Sequence, residues 1–289
     1  MNAKYLRPED ARQLRAMTFS PHVMVEGTLS GQHRSRLRGA STEFHEYRPY
    51  SPGDPPAQVD WRVFARTDRF YLKTFELETH LECHIFLDIS SSMGFSDGPE
   101  SKYDWAARFA AGLAYLVTLR QDRVSLTVFN DRPRGYLPPG GTQGHLRQFL
   151  NMLEEHKPGD RTALAEALER SLPLLRRKGT VIILSDFLDE PSAIFRALSA
   201  YMHRGFKVFL YQVLTPEELT LPDQAFRRYV DVESNQNLIV HPESVREAYL
   251  EELDAHQRGL AQLSTRRGIS FVPARTDQPW MEHLRRLAR

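Results

Sequence analysis

The stretch LECHIFLDISSSMGF, residues 81–95, decides how the rest of the chain is read. From 82 to 88 it is almost continuously apolar, ends on the acid Asp88, and is followed at once by Ser90, Ser91 and Ser92. A run this apolar reads as a strand covered on both faces. TVIILSD, residues 180–186, repeats the pattern and ends on Asp186. Outward from these two runs, helical spacing at 103–119, 144–154, 163–175, 192–203, 244–267 and 280–287 alternates with strand-like runs at 124–130, 207–213 and 269–272. RRYVDVESNQNLIVH reads as a hairpin around Ser234–Gln236, and PPGG near residue 140 reads as a loop. Strands alternating with helices predict an α/β fold, a mainly parallel Rossmann-like sheet with helices on both faces.

The order changes character near Thr79–His80, which divides the chain into an N-terminal segment, 1–79, packed on a main domain, 80–289, with the hairpin inserted at about 222–242. The segment holds a short helix at 8–17, a strand at 70–78 and otherwise irregular or β structure rich in Arg, Tyr, Phe and Pro. The 41% hydrophobic and 26% charged composition of the 289 residues is that of an ordinary globular protein. A formal net charge of +1 gives no bulk attraction for nucleic acid or an anionic membrane. The longest apolar run, 109–119, is about half a membrane span, and the N-terminus lacks the apolar core of a secretion signal. The single cysteine, Cys83, lies inside the apolar strand and reads as a buried structural thiol in a reducing cytoplasm.

Ligands of open α/β sheets bind beyond the carboxyl ends of the strands. Asp88 and Asp186 end two strands there, and Thr162, in GDRTALAEAL, opens a helix from the same rim. With Ser90 and Ser92 they make a set of hard oxygens suited to Mg²⁺, or to Mn²⁺ or Ca²⁺. Two carboxylates and three hydroxyls leave a divalent ion attractive to a further carboxylate. Taken singly, Ser90, Ser92 or Thr162 reads as a helix or turn cap.

The spacing Asp88-x-Ser90-x-Ser92, with Thr162 and Asp186 downstream, resembles the metal-ion-dependent adhesion site of von Willebrand factor A-type domains. Upstream, RPYSPGD (48–54) and DWRVFAR (60–66) are similar to signatures of the bacterial domain-of-unknown-function 58 family. The resemblance implies a metal bound by Asp88, Ser90, Ser92, Thr162 and Asp186, and a MoxR-type AAA+ ATPase, or its client, as protein partner. Many such relatives carry two membrane helices before this region; none is seen here, which implies a soluble form.

The function expected is therefore a non-enzymatic, metal-dependent protein-binding module. The rival is a Mg²⁺-dependent phosphoester hydrolase, with Asp97, Asp104, Asp189 or Glu190 as the general base. A structural subunit whose ion merely fixes loops is a third reading. No nucleophile elbow, zinc-ligand spacing or phosphate loop is present. The basic cluster His33, Arg34, Arg36 and Arg38 reads as internal ion pairs, and Asp60, Trp61 and Arg62 as structural, with Trp61 buried and Arg62 paired to a carboxylate.

Overall fold

Glu82–Asp88 is strand β3, the third after β1 (Phe44–Pro49) and β2 (Tyr71–Phe75), and all seven of its residues are buried. The computed structural model describes residues 3–17, 44–51, 59–75, 81–222, 227–230, 237–240 and 242–287. By internal contacts the chain forms two units, one of residues 1–28 with 81–289 and one of residues 29–80. From the start of the chain, Tyr5, Leu6 and Leu14 are buried in the core of the α/β unit.

In that unit β3 pairs in parallel with β4 (Arg123–Phe129) on one side and β6 (Thr180–Ser185) on the other. With β5 (Pro133–Gly140), β7 (Lys207–Leu214) and β10 (Ser270–Arg275) they form a six-stranded sheet ordered β10-β7-β6-β3-β4-β5. Every pairing is parallel except β4 with β5. This is the mainly parallel α/β sheet that the alternating elements predict.

Side chains alternate across β3 as a pleated strand requires. Cys83, Ile85 and Leu87 face a cluster built from helices α1 (Pro8–Arg15), α3 (Lys102–Leu119), α4 (Gln143–Glu155) and α9 (Trp280–Leu287), while Phe86 faces a second cluster. That second cluster is supplied by α5 (Leu164–Ser171), α6 (Pro191–His203) and α8 (Pro242–Arg266). Helix α3 is buried along nearly its whole length, which explains why its sequence is apolar on almost every side. Gly112 lets α9 close on it, since a Cβ there would stand 2.5 Å from Trp280 Cζ3.

Several sequence expectations need correction. PPGG, read as a loop, lies mostly inside β5 (Pro133–Gly140) at the sheet edge, where proline is tolerated because one side of the strand has no ladder to supply. The helix expected at 163–175 ends at Ser171 and tightens into a 3-10 turn at Leu172–Leu174, with Pro173 inside it. A short helix, α7 (Pro216–Thr220), went unread after β7; its Thr215–Glu218 capping box is a local signal that was available.

In residues 29–80, β1 and β2 pair antiparallel, and α2 (Trp61–Thr67) lies between them in sequence. Asp60 is the N-cap of α2 and accepts from the Arg62 and Val63 amides. Trp61 is 58% exposed, contrary to its expected burial, and meets Phe64 and Phe70 edge-on. Among the described residues the Arg62 side chain makes no ion pair; Asp60 uses the Arg62 backbone instead. The 33–38 basic cluster, residues 52–54 of the 48–54 run, residues 76–78 of the expected strand and the hairpin turn lie outside the described residues. The hairpin strands themselves are present as β8 (Arg227–Val230) and β9 (Asn237–Val240), paired antiparallel. Among the described residues no helix is long and apolar enough to cross a membrane.

Candidate functional site

The sheet has one point where successive crossovers part. From β3 the chain runs through α3 to β4; from β6, which adjoins β3 on its other side, it runs through α6 to β7. Because α3 and α6 cover opposite faces, a crevice opens beyond the carboxyl ends of β3 and β6. Asp88 ends β3, and Asp186 follows the last residue of β6.

Asp88 is fully buried. Its Oδ1 accepts the Ser90 amide at 2.7 Å and its Oδ2 the Ser185 hydroxyl at 2.6 Å. Burial pushes the carboxyl up to about 7, the Asp186 charge adds to this, and the Ser185 and Ser90 hydrogen bonds pull it back. Ser90 and Ser92 meet hydroxyl to hydroxyl at 3.1 Å. Ser90 precedes a 3-10 turn, Ser91–Gly94, yet makes no side-chain capping bond, so its hydroxyl does not serve as the turn cap. Real caps in this protein look different: Ser101 accepts the Asp104 amide and Thr142 the His145 amide.

Thr162 is carried to the same rim by a tethered loop. The Asp160 carbonyl accepts the Ser91 amide at 2.9 Å, the Ile89 carbonyl accepts the Gly159 amide at 2.8 Å, and the Asn130 carbonyl at the end of β4 accepts the Ala163 amide at 3.1 Å. Asp160 turns the loop with a φ of 64°, a conformation Asp tolerates better than most residues. Thr162 is not the cap of α5; that position is Ala163, and Asp189 Oδ2 satisfies the Leu164 amide at 2.8 Å.

Asp186 is fully buried and its two oxygens differ. Oδ2 takes the Lys102 ammonium at 2.9 Å, whereas Oδ1 is buried with no hydrogen-bond partner. Its backbone is held by Gln212, which donates to the Asp186 carbonyl at 3.1 Å, and by His256, which donates to the Phe187 carbonyl at 2.7 Å. Phe187 adopts a φ of 54°, unusual for an aromatic residue and the kind of strain that surrounding structure must enforce. Lys102, at the start of α3, is fully buried and also donates to Glu218 Oε1 at 2.6 Å. Burial acts to lower its pKa, but the Asp186 and Glu218 carboxylates outweigh that and raise it, so it carries its charge.

The structure thus brings Asp88, Ser90 and Ser92 together with Asp186 across paired strands, and tethers the Thr162 loop beside them. Among the described residues no group of three or more His, Cys, Asp or Glu is arranged for a metal, so any ion here depends on hydroxyls beside two carboxylates. The donor set is all oxygen, and the bare Oδ1 of Asp186 is the kind of atom a hard cation satisfies. Sequence reading missed Ser185, Lys102 and Glu218. The serine was visible inside ILSD, and the Thr215–Glu218 capping box was an unused local signal for Glu218; nothing local marks Lys102, whose partners lie 84 and 116 residues away.

The family model for "Protein of unknown function DUF58" matches residues 46–259. The chain belongs to this family. An uncharacterized protein of Mycobacterium tuberculosis, Rv1480, is 28% identical over 279 residues, 95% of this chain and 87% of that protein. Among solved structures, the conserved hypothetical protein BatB from Bacteroides thetaiotaomicron superposes with a TM-score of 0.51 at 20% identity, covering 72% of this chain and 96% of BatB. The SpRpn10 VWA domain aligns over 71% of this chain and 94% of its own, at 10% identity and a TM-score of 0.40. The fold of this DUF58 protein, a mainly parallel six-stranded α/β sheet with helices on both faces, is one it shares with BatB.

Proposed function

We propose that this DUF58 protein is a metal-dependent protein-binding module. Asp88, Ser90, Ser92, Thr162 and Asp186 would hold a divalent cation, Mg²⁺ or its near equivalents Mn²⁺ and Ca²⁺. When bound, such an ion supplies a Lewis-acidic position that a partner's Asp or Glu can occupy. The observation that carries this reading is the buried Asp186 Oδ1 without a donor, one strand away from Asp88 with its raised pKa. Burial and the Asp186 charge both disfavour a bare carboxylate at Asp88, which a bound proton or a cation relieves.

The hydrolase reading is less well supported, because its four candidate bases are engaged elsewhere. Asp97 accepts the Glu217 amide, Asp104 pairs with Lys4, Asp189 holds the Leu164 amide and Glu190 caps α6. Family resemblance supports a MoxR-type AAA+ ATPase, or a client of one, as the partner. The test is Asp88→Ala, checked for folding by circular dichroism, in binding assays against such an ATPase with Mg²⁺ or with chelator. Binding lost in the variant and in chelator is the expected result; the same affinity in all four conditions refutes the metal bridge.

A further inference from the structure

Lys102 is the only buried lysine or arginine among the described residues, and it sits on a residue assigned above as a metal ligand. A lysine ammonium is strongly hydrated, so burial needs compensating carboxylates. Asp186 and Glu218 supply them, at 2.9 and 2.6 Å. Glu218 belongs to α7 and is itself anchored: its Oε2 accepts the Thr215 amide at 2.8 Å, and its carbonyl accepts the Tyr249 hydroxyl at 2.9 Å. The neighbouring Glu217 amide donates to Asp97 at 2.7 Å, in the loop that follows the serines. The ammonium is therefore shared between a carboxylate of the candidate site and one held in place outside it.

We propose that Lys102 is a built-in competitor for the cation at Asp186, and that Glu218 is the carboxylate that keeps it paired when Asp186 serves the metal. The inference rests on the metal reading above and adds what regulates that site. Like charges in a poorly solvated crevice repel far more strongly than in water. An ammonium on Oδ2 therefore weakens the attraction of the same carboxylate for a divalent ion through Oδ1. The strength of the Lys102–Glu218 pair then sets how much of that repulsion the site feels, and ties metal affinity to the seating of α7.

The test is titration calorimetry of the full chain with MgCl₂ or MnCl₂ alone, paired with melting curves in metal and in chelator, for wild type, Lys102→Met, Glu218→Gln and the double variant. Lys102→Met is expected to lower the Kd at least about tenfold, the equivalent of roughly 1.4 kcal/mol. It should also melt lower than wild type in chelator and rise further on adding metal, because the metal neutralises the Asp186 carboxylate that has lost its ammonium. Glu218→Gln, a change at a partly exposed side chain, is expected to weaken binding several-fold, and most of that loss should vanish in the double variant. If Lys102→Met does not fold, Glu218→Gln with Lys102→Arg carries the test: weakening must appear in the first, and the second must not tighten binding. Metal taken up by Lys102→Met but not by wild type also supports the proposal. Equal affinities across the series overturn it while leaving the metal site standing; no uptake by any variant overturns both.

Discussion

Replacing Asp88 by Asn should stabilise the metal-free protein, although Asp88 stands at the centre of the candidate site. The carboxyl is held at about 7 against an ordinary 3.8, chiefly by burial and next by the Asp186 charge. At 1.36 kcal/mol per unit, ionised Asp88 opposes folding by about 4 kcal/mol. The carboxamide removes that charge while its oxygen still accepts the Ser90 amide, and its NH₂ can donate to Ser185 Oγ in place of accepting from it. Allowing about 1 kcal/mol for the rearranged bond leaves Asp88→Asn more stable by about 3 kcal/mol at pH 8 in chelator. For a protein of this size that is a rise in Tm of roughly 6–12 °C. The folded carboxyl binds its proton more tightly than the unfolded one, so folding takes up a proton between about pH 4 and pH 7. Wild-type stability consequently gains as pH falls through that window, and the advantage of the variant shrinks to about 1 kcal/mol or less near pH 5. Burial also holds the His84 imidazole down at about 4, which acts in the opposite direction, but it is common to both proteins and cancels in the difference. Urea unfolding followed by tryptophan fluorescence at pH 5 and pH 8, in chelator and in Mg²⁺, measures all of this. A variant no more stable than wild type at pH 8 in chelator, or a difference that ignores pH, refutes the electrostatic account of the site. Added Mg²⁺ should stabilise wild type and leave Asp88→Asn nearly unmoved.

Two further outcomes test the packing that holds the rim in place. Gly112→Ala puts a methyl 2.5 Å from Trp280 Cζ3 and 2.9 Å from Leu284 Cδ1, so α9 must shift away from α3, at a cost of about 1–3 kcal/mol in chemical denaturation. Burial pushes the Cys83 thiol up to about 12, so a thiol reagent at pH 8 should modify it only in denaturant; prompt reaction of the native protein contradicts the buried β3.

The strands β3 and β6 were legible because a strand with helices on both faces must be apolar at every position, and few other structures demand that of so short a run. The short apolar runs bounded by helix signals likewise mark β4 and β7. The edge strand β5 was not legible, since Pro133, Pro138 and Pro139 speak against a strand until its position at the sheet edge is known. Trp61 reads as core by composition, whereas α2 turns it outward. Five oxygen donors were named from spacing and from where strand ends fall in an α/β sheet. Their electrostatic setting was not, because charge pairing across distant segments leaves no periodic or local mark.

From the order of residues alone follow the element types, the parallel sheet and the rim that carries Asp88 and Asp186, because these depend on periodicity and local apolar content. Tertiary structure alone set the strand order that opens a crevice between β3 and β6. It also brought Lys102 to Asp186 and Glu218, and left Asp186 Oδ1 without a donor. The physical reason is range: hydrophobic patterning acts over a few neighbouring residues, whereas the balance of buried charge is settled between groups that meet only once the chain has closed.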